Sequence, residues 1–291
     1  MNSLKVWVLA IRPKTLPVAI APVIMAISMA YKDGFFHLPS SLAIILCAVL
    51  LQIGVNLAND YFDFKKGADS KERLGPKRVT QSGLISPEKV KRAFTLVFSL
   101  AVLFGVYLVY RGGFPIAIVG VLAVISALLY TGGPLPYGYL GFAEIVIFVF
   151  FGPVSTYFTY YLLSGLFSTL ALVVGFAPGA LAVSLYTITS FRDIHQDRKV
   201  DKKTLAVRFG YKFSFFQFLF SLFIPFAVPL VLIAQGYSAL LIIPSMTVFL
   251  SLPVIRLFQK EIDAEKINAS IPILGKTLIL FSLSFGVLWL L

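Results

Sequence analysis

Nine apolar runs, each bounded by polar or turn-forming residues, lay out the chain. They lie at 16–31, 42–61, 94–110, 114–130, 139–162, 167–190, 213–234, 238–257 and 274–291. Each has roughly the 17–25 residues that a helix needs to cross a bilayer. The runs are continuous and do not alternate with period two, which predicts helices and not a barrel. Ahead of them, residues 1–15 read as an interfacial segment. Leu4, Trp7, Val8 and Ile11 share a face, and Lys5, Arg12 and Lys14 sit at the membrane surface. No cleavable leader is expected, because Pro17 and Pro22 fall where its apolar region would run. The expected fold is an all-α polytopic membrane protein of one domain, with nine transmembrane helices.

Composition agrees. Of 291 residues 58% are apolar and 13% charged, against about 25% charged in soluble domains. Mean hydropathy is +0.90. The net charge of +12 is distributed by side and does not mark a nucleic-acid partner: alternate loops hold 23 and 2 of the 25 Lys and Arg. That asymmetry places the N-terminus and loops 62–93 and 191–212 in the cytoplasm. Cys47 is alone, so no internal disulfide forms.

Two polar interruptions change the picture. The second run ends in Asn56-Leu-Ala-Asn-Asp60-Tyr-Phe-Asp63, followed by a long basic loop with Lys66, Asp69, Arg73, Lys77 and Arg78. Asn56, Asp60 and Asp63 are spaced i, i+4, i+7 and share a helix face. The sixth run ends at Arg192, followed by Asp193, Asp197 and Asp201 at i, i+4, i+8, read as one carboxylate row. Recurrence of this pattern four runs apart suggests two four-helix halves plus a ninth helix, with the acidic ends facing each other across a central cavity. Runs seven to nine carry almost no polar groups and read as scaffold.

Six of the eight aspartates lie in these clusters. Carboxylates crowded into one cavity need a cation, and oxygen donors without thiolates favour a hard one, most plausibly Mg²⁺. Magnesium usually bridges one or two carboxylates to a substrate's phosphates. Acidic rows flanked by Lys and Arg at a membrane surface therefore suit a lipid diphosphate. Loss of that diphosphate leaves an allylic cation, which Tyr61, Phe62, Tyr130 or Tyr186 could face.

The whole chain resembles the UbiA superfamily of intramembrane prenyltransferases, whose N-x-x-x-D-x-x-D and D-x-x-x-D motifs match Asn56/Asp60/Asp63 and Asp193/Asp197. Arg12-Pro-Lys-Thr-Leu-Pro17, Lys66-Gly-Ala-Asp69, Tyr130-Thr-Gly-Gly-Pro134, Gly141-Phe-Ala-Glu144 and Thr204-Leu-Ala-Val-Arg-Phe-Gly210 resemble its 1,4-dihydroxy-2-naphthoate polyprenyltransferase branch. The resemblance implies prenyl transfer from a polyprenyl diphosphate to that aromatic acceptor, with decarboxylation to demethylmenaquinone. It implies two Mg²⁺ ions. Asn56, Asp60, Asp63, Asp193 and Asp197 would be ligands, the four aspartates being catalytic. Lys66, Arg73, Lys77, Arg78 and Arg192 would meet the diphosphate. Arg12, Lys14, Tyr130 and Glu144 would contact the acceptor, with Lys14 or Arg78 on its carboxylate. Asn59, Asp69 and Asp201 are further candidates.

Other acceptors, such as 4-hydroxybenzoate, are the nearest rivals. A CDP-alcohol phosphotransferase would show D-G-x-x-A-R, which is absent. A cation transporter would place carboxylates deep within several runs, whereas these lie at run ends.

Overall fold

The computed structural model describes residues 3–69, 74–258 and 263–291. Every regular element among them is helical. The amphipathic α1 (Ser3–Ile11) leads through Arg12 and a 3-10 turn, Pro13–Thr15, into α2 (Leu16–Lys32). Arg12 sits in the left-handed region, φ 57°, which costs a side-chain-bearing residue about 1–2 kcal/mol. α3 (Leu38–Lys65) starts where His37 Nδ1 accepts from the Ser40 N–H.

α4 (Pro87–Leu129) contains two of the expected runs. Gly113, φ 68° and ψ −157°, breaks its helical backbone. Phe62 of α3 shows that the chain folds back there. Its ring lies 5.9 Å from that of Phe94 near the start of α4 and also abuts Gly132 just past its end. A straight helix of 43 residues would hold those points about 60 Å apart.

After the short α5 (Tyr137–Leu140), α6 (Ala143–Val149) and α7 (Ser155–Ser164) form one span joined by a π-helical segment, Phe150–Val154. Its Gly152 meets Gly175 and Gly179 of α8 (Thr169–Arg192) so closely that a Cβ on Gly152 would lie 2.5 Å from the Gly175 carbonyl oxygen. Small residues permit this approach, and in lipid such packing holds helices together. α8 is the central post: 78% of its most apolar stretch is buried, against 11% for α4, which faces lipid.

α9 (Ile194–Lys199) and α10 (Leu205–Ala234) follow; α10 is capped by Thr204 and bent at Gly210. The eighth run is a 3-10 helix, Ala239–Ser251, continuing into α11 (Leu252–Ile255). At about 2.0 Å rise per residue, its 13 residues cover roughly 26 Å, further than an α-helix of that length would reach. The last helix, α12 (Ala264–Leu290), begins well before the expected position 274, because the Asp263 carboxylate caps it by accepting the Lys266 N–H. Seven helices among the described residues are long and apolar enough to cross a membrane.

Of three apolar cores among the described residues, two flank the centre and the third, with Val23, Ile44, Leu108, Ile116 and Leu162, adds to the cavity wall. One joins α2, α8, α10 and α12 through Met25, Met29, Phe191, Phe218, Phe281 and Phe285. The other joins α1, α3 and α4 through Val6, Leu57, Tyr61, Phe94 and Phe98.

Candidate active site

Between these cores lies a cavity of about 1270 Å³. Its long apolar part runs past Ile44, Leu51, Val106, Ile116 and Val124. Its polar end is walled by Arg12, Asn59, Arg78, Arg192, Asp193, Asp197 and Lys202, so residues from both acidic regions meet in one chamber.

At the end of α3 the polar side chains divide between two tasks. Asp60 is 1% exposed and accepts the backbone N–H groups of Val79 and Thr80, each at 3.1 Å. Asn56 donates to the Ile11 carbonyl at 2.8 Å and to Thr15 Oγ1 at 3.0 Å, and accepts from Gln52 at 3.4 Å. Both thus organise backbone next to the cavity, Asp60 for the basic loop and Asn56 for the N-terminal segment. Asp63 accepts from Asn59, from Arg78 Nη2 at 3.1 Å and from the Tyr139 hydroxyl at 2.8 Å. Arg78 Nε lies 3.5 Å from Asp69, so one buried guanidinium links Asp63 and Asp69. Arg78 lines the cavity, and its Nη1 has no hydrogen-bond partner among the described residues. A buried donor left so costs about 1–3 kcal/mol unless a ligand takes it.

At the end of α8, Arg192 grips Asp193 with two bonds of 2.7 Å and donates to Asn268 at 2.6 Å. Asp197, one turn on, pairs with Lys202 at 3.3 Å. The carboxylate row stops there. α9 ends at Lys199, and Asp201 falls in a left-handed turn, φ 52°, exposed and beside Lys203. That turn closes when the Lys202 N–H meets the Asp197 carbonyl, which directs the Lys202 side chain inward. Burial pushes the Asp197 carboxyl up to about 6, opposed by Lys202 and reinforced by Asp193 and Asp63. Burial by itself would lower Lys202, but Asp197, Asp63 and Asp193 outweigh it and leave its pKa raised.

The other predicted residues are less uniform. Lys66 lies outside the cavity, 4.4 Å over the Tyr139 ring, its pKa lowered by burial against the pull of Asp63. Lys77 is exposed and off the cavity wall. Arg73 lies outside the described residues. Arg12 donates to Asn59 Oδ1 at 3.4 Å, and the exposed Lys14 lines the mouth. Tyr130 and Tyr186 are both on the wall. Glu144 is buried and off the cavity wall. Tyr61 and Phe62 pack against Phe94 of α4 instead of the cavity.

Sequence reasoning missed Lys202, Tyr139, Gln196 and Asn268. Lys202 had a signal in its spacing after Asp197. Asn268 had none, because it precedes the apolar run of its helix.

Among the described residues, no three His, Cys, Asp or Glu side chains come together to hold a metal unaided. On the cavity wall, Asp193 and Asp197 fit a hard divalent cation whose remaining ligands come from a phosphate; Asp60, Asp63 and Asp69 are not part of that wall, and the Arg78 guanidinium bridges Asp63 and Asp69.

The UbiA prenyltransferase family model matches residues 19–287. The 1,4-dihydroxy-2-naphthoate octaprenyltransferase of Escherichia coli K12 is 39% identical over 216 residues, covering 72% of this chain and 70% of that protein. An apo UbiA homologue from Aeropyrum pernix K1 shares the fold, with TM-score 0.67 and 16% identity over 90% of this chain and 96% of that one. So does a UbiA homologue from Archaeoglobus fulgidus bound to DMAPP and Mg²⁺, with TM-score 0.58, 14% identity and coverage of 91% and 99%. Helices, paired acidic ends and family match agree: this chain belongs to the UbiA prenyltransferase family.

Proposed function

We propose that the protein joins a polyprenyl chain to 1,4-dihydroxy-2-naphthoate, releasing diphosphate and carbon dioxide and giving demethylmenaquinone. The observation that carries this reading is the single chamber in which carboxylates and buried cations stand at the end of a long apolar cavity. The 39% identity to a naphthoate enzyme supports this acceptor over 4-hydroxybenzoate.

The apolar cavity holds the prenyl chain by burying its surface. Arg78, Arg192 and Lys202 meet the diphosphate oxygens, Arg78 through its unpartnered Nη1. Asp63, Asp69, Asp193 and Asp197 would hold two Mg²⁺ ions, which would supply charge neutralisation for the departing diphosphate. Asn56 and Asp60 hold backbone in place and are not assigned as ligands. Tyr130 and Tyr186 present ring faces to the allylic cation, and the apolar wall excludes water. Arg12 or Lys14 orients the acceptor carboxylate. The electron-rich ring carbon bearing that carboxylate attacks the cation, a C–C bond forms, and loss of carbon dioxide returns the electron pair to the ring.

Nine crossings follow if both arms of α4 and the stretched Ala239–Ile255 segment span the bilayer. The N-terminus and chamber mouth then face the cytoplasm, consistent with the basic loops. The test is mass analysis of product from purified protein, a polyprenyl diphosphate and Mg²⁺ with each acceptor separately. Demethylmenaquinone from the naphthoate alone is the expected result; product from 4-hydroxybenzoate instead would overturn the acceptor assignment.

A further inference from the structure

Leu74, in the basic loop, is held from both sides. Its N–H donates to Gln196 Oε1 at 3.2 Å, and its carbonyl accepts from Asn268 Nδ2 at 2.7 Å. Asn268, in the second turn of α12, uses its amide oxygen at the same time to accept from Arg192 Nη1 at 2.6 Å. A connected path therefore runs from Asp193 through Arg192 and Asn268 to the Leu74 peptide and on to Gln196, next to Asp197. Only a side chain with both a donor and an acceptor can serve Arg192 and the Leu74 carbonyl together.

The same loop is fixed a second time four residues later, where Arg78 binds Asp63 and lies beside Asp69. Pro76 and Arg78 form cavity wall between and at these two anchors. The loop thus ties the α3 cluster to the α8 cluster, and the Leu74 anchor sets where its cavity-lining face stands. We infer that Asn268 and Gln196 are positioning residues for the donor: by fixing Leu74 they bring Arg78 and Arg192 to bear on one diphosphate. The inference rests on the proposed function only in taking a polyprenyl diphosphate as donor; it is indifferent to the acceptor.

The test uses the full chain in nanodiscs, as wild type, Asn268→Ala, Gln196→Ala and the double variant. Two readouts are taken: the dissociation constant of unreactive farnesyl thiodiphosphate with Mg²⁺, and amide hydrogen exchange in the peptide beginning at Leu74. A hydrogen bond worth about 1.4 kcal/mol is a factor of ten, so Asn268→Ala should weaken mimic binding about tenfold. Gln196→Ala, which removes the acceptor of the Leu74 N–H, should weaken it about threefold. Both should speed exchange at Leu74. Because both side chains hold one peptide, the double variant should fall short of the product of the single effects. Gln196 is only half-buried, so its variant remains readable if Asn268→Ala folds poorly. Unchanged exchange, faster exchange with unchanged affinity, or fully multiplying effects would each overturn the inference. A wild type that binds the mimic while the variants match it defeats the inference alone; a wild type that fails to bind it defeats the donor assignment as well.

Discussion

The ends of α3 and α8 carry similar acidic sequences in dissimilar surroundings. At α3 the carboxylates are fully enclosed and already engaged: Asp60 by two backbone amides, Asp63 by Asn59, Arg78 and Tyr139. At α8 the carboxylates line the cavity and are held by Arg192 and Lys202, side chains that can be drawn onto an incoming anion. Helix geometry explains part of this. α3 continues unbroken to Lys65, so its aspartates share faces with neighbours. α8 stops at Arg192, and the break before α9 turns Asp193 and Asp197 toward the chamber. The α3 cluster holds the loop that crosses the site through Asp60 and reaches the ligand only through Asp63, Asp69 and Arg78, whereas the α8 cluster lines the cavity itself.

The largest expected effect tests what the clusters share. Asp63→Ala and Asp197→Ala should each lower kcat about 100- to 1000-fold, the range seen when a preorganised charge-stabilising group is lost. Steady-state assays at saturating Mg²⁺ measure this, and a loss confined to one cluster would break the two-sided account.

Next comes the difference between them. Asp60→Ala leaves the Val79 and Thr80 N–H groups buried without partners, at about 1–3 kcal/mol each. Melting temperature in detergent should fall while the Mg²⁺ concentration for half-maximal activity stays the same. Asp60→Asn, which keeps one acceptor oxygen, should recover part of the loss. A shifted Mg²⁺ requirement would place Asp60 with the ligands.

A smaller effect concerns pH. The folded state holds the Asp197 proton more tightly than the unfolded chain, with a pKa of about 6 against 3.8. Without a divalent cation the group therefore costs stability as pH rises from 3.8 toward 6. Mg²⁺ favours the ionised form, so its affinity should drop as pH falls through about 6, with proton uptake on release. Calorimetric titrations in buffers of different ionisation enthalpy read this directly. Asp201→Ala should do least: the side chain is exposed, so turnover should change by less than about twofold.

Much of this was legible in the sequence because a bilayer leaves few options. Apolar length gave the helices, and carboxylates at two of their ends marked where the chain leaves the bilayer for a polar site. What stayed hidden depended on where chains bend. Asp201 lies in the right phase for a continuous helix, but α9 ends before it. Asp60 matched a ligand motif, and no side-chain pattern announced its added contacts with backbone groups about 20 residues away. Asn268 fell outside its apolar run because the Asp263 cap extends α12 toward the site. The break between the runs 94–110 and 114–130 was readable, and the fold-back of α4 at Gly113 falls in it.

Binding of farnesyl thiodiphosphate to purified protein, titrated with and without Mg²⁺ for the wild type, Asp63→Ala, Asp197→Ala and the double variant, tests the shared chamber most directly. Mg²⁺-dependent binding in the wild type, lost in either single variant and no weaker in the double, is what one chamber predicts. Binding that survives either substitution, or losses that simply multiply, would mean that the two acidic ends do not act on the same diphosphate.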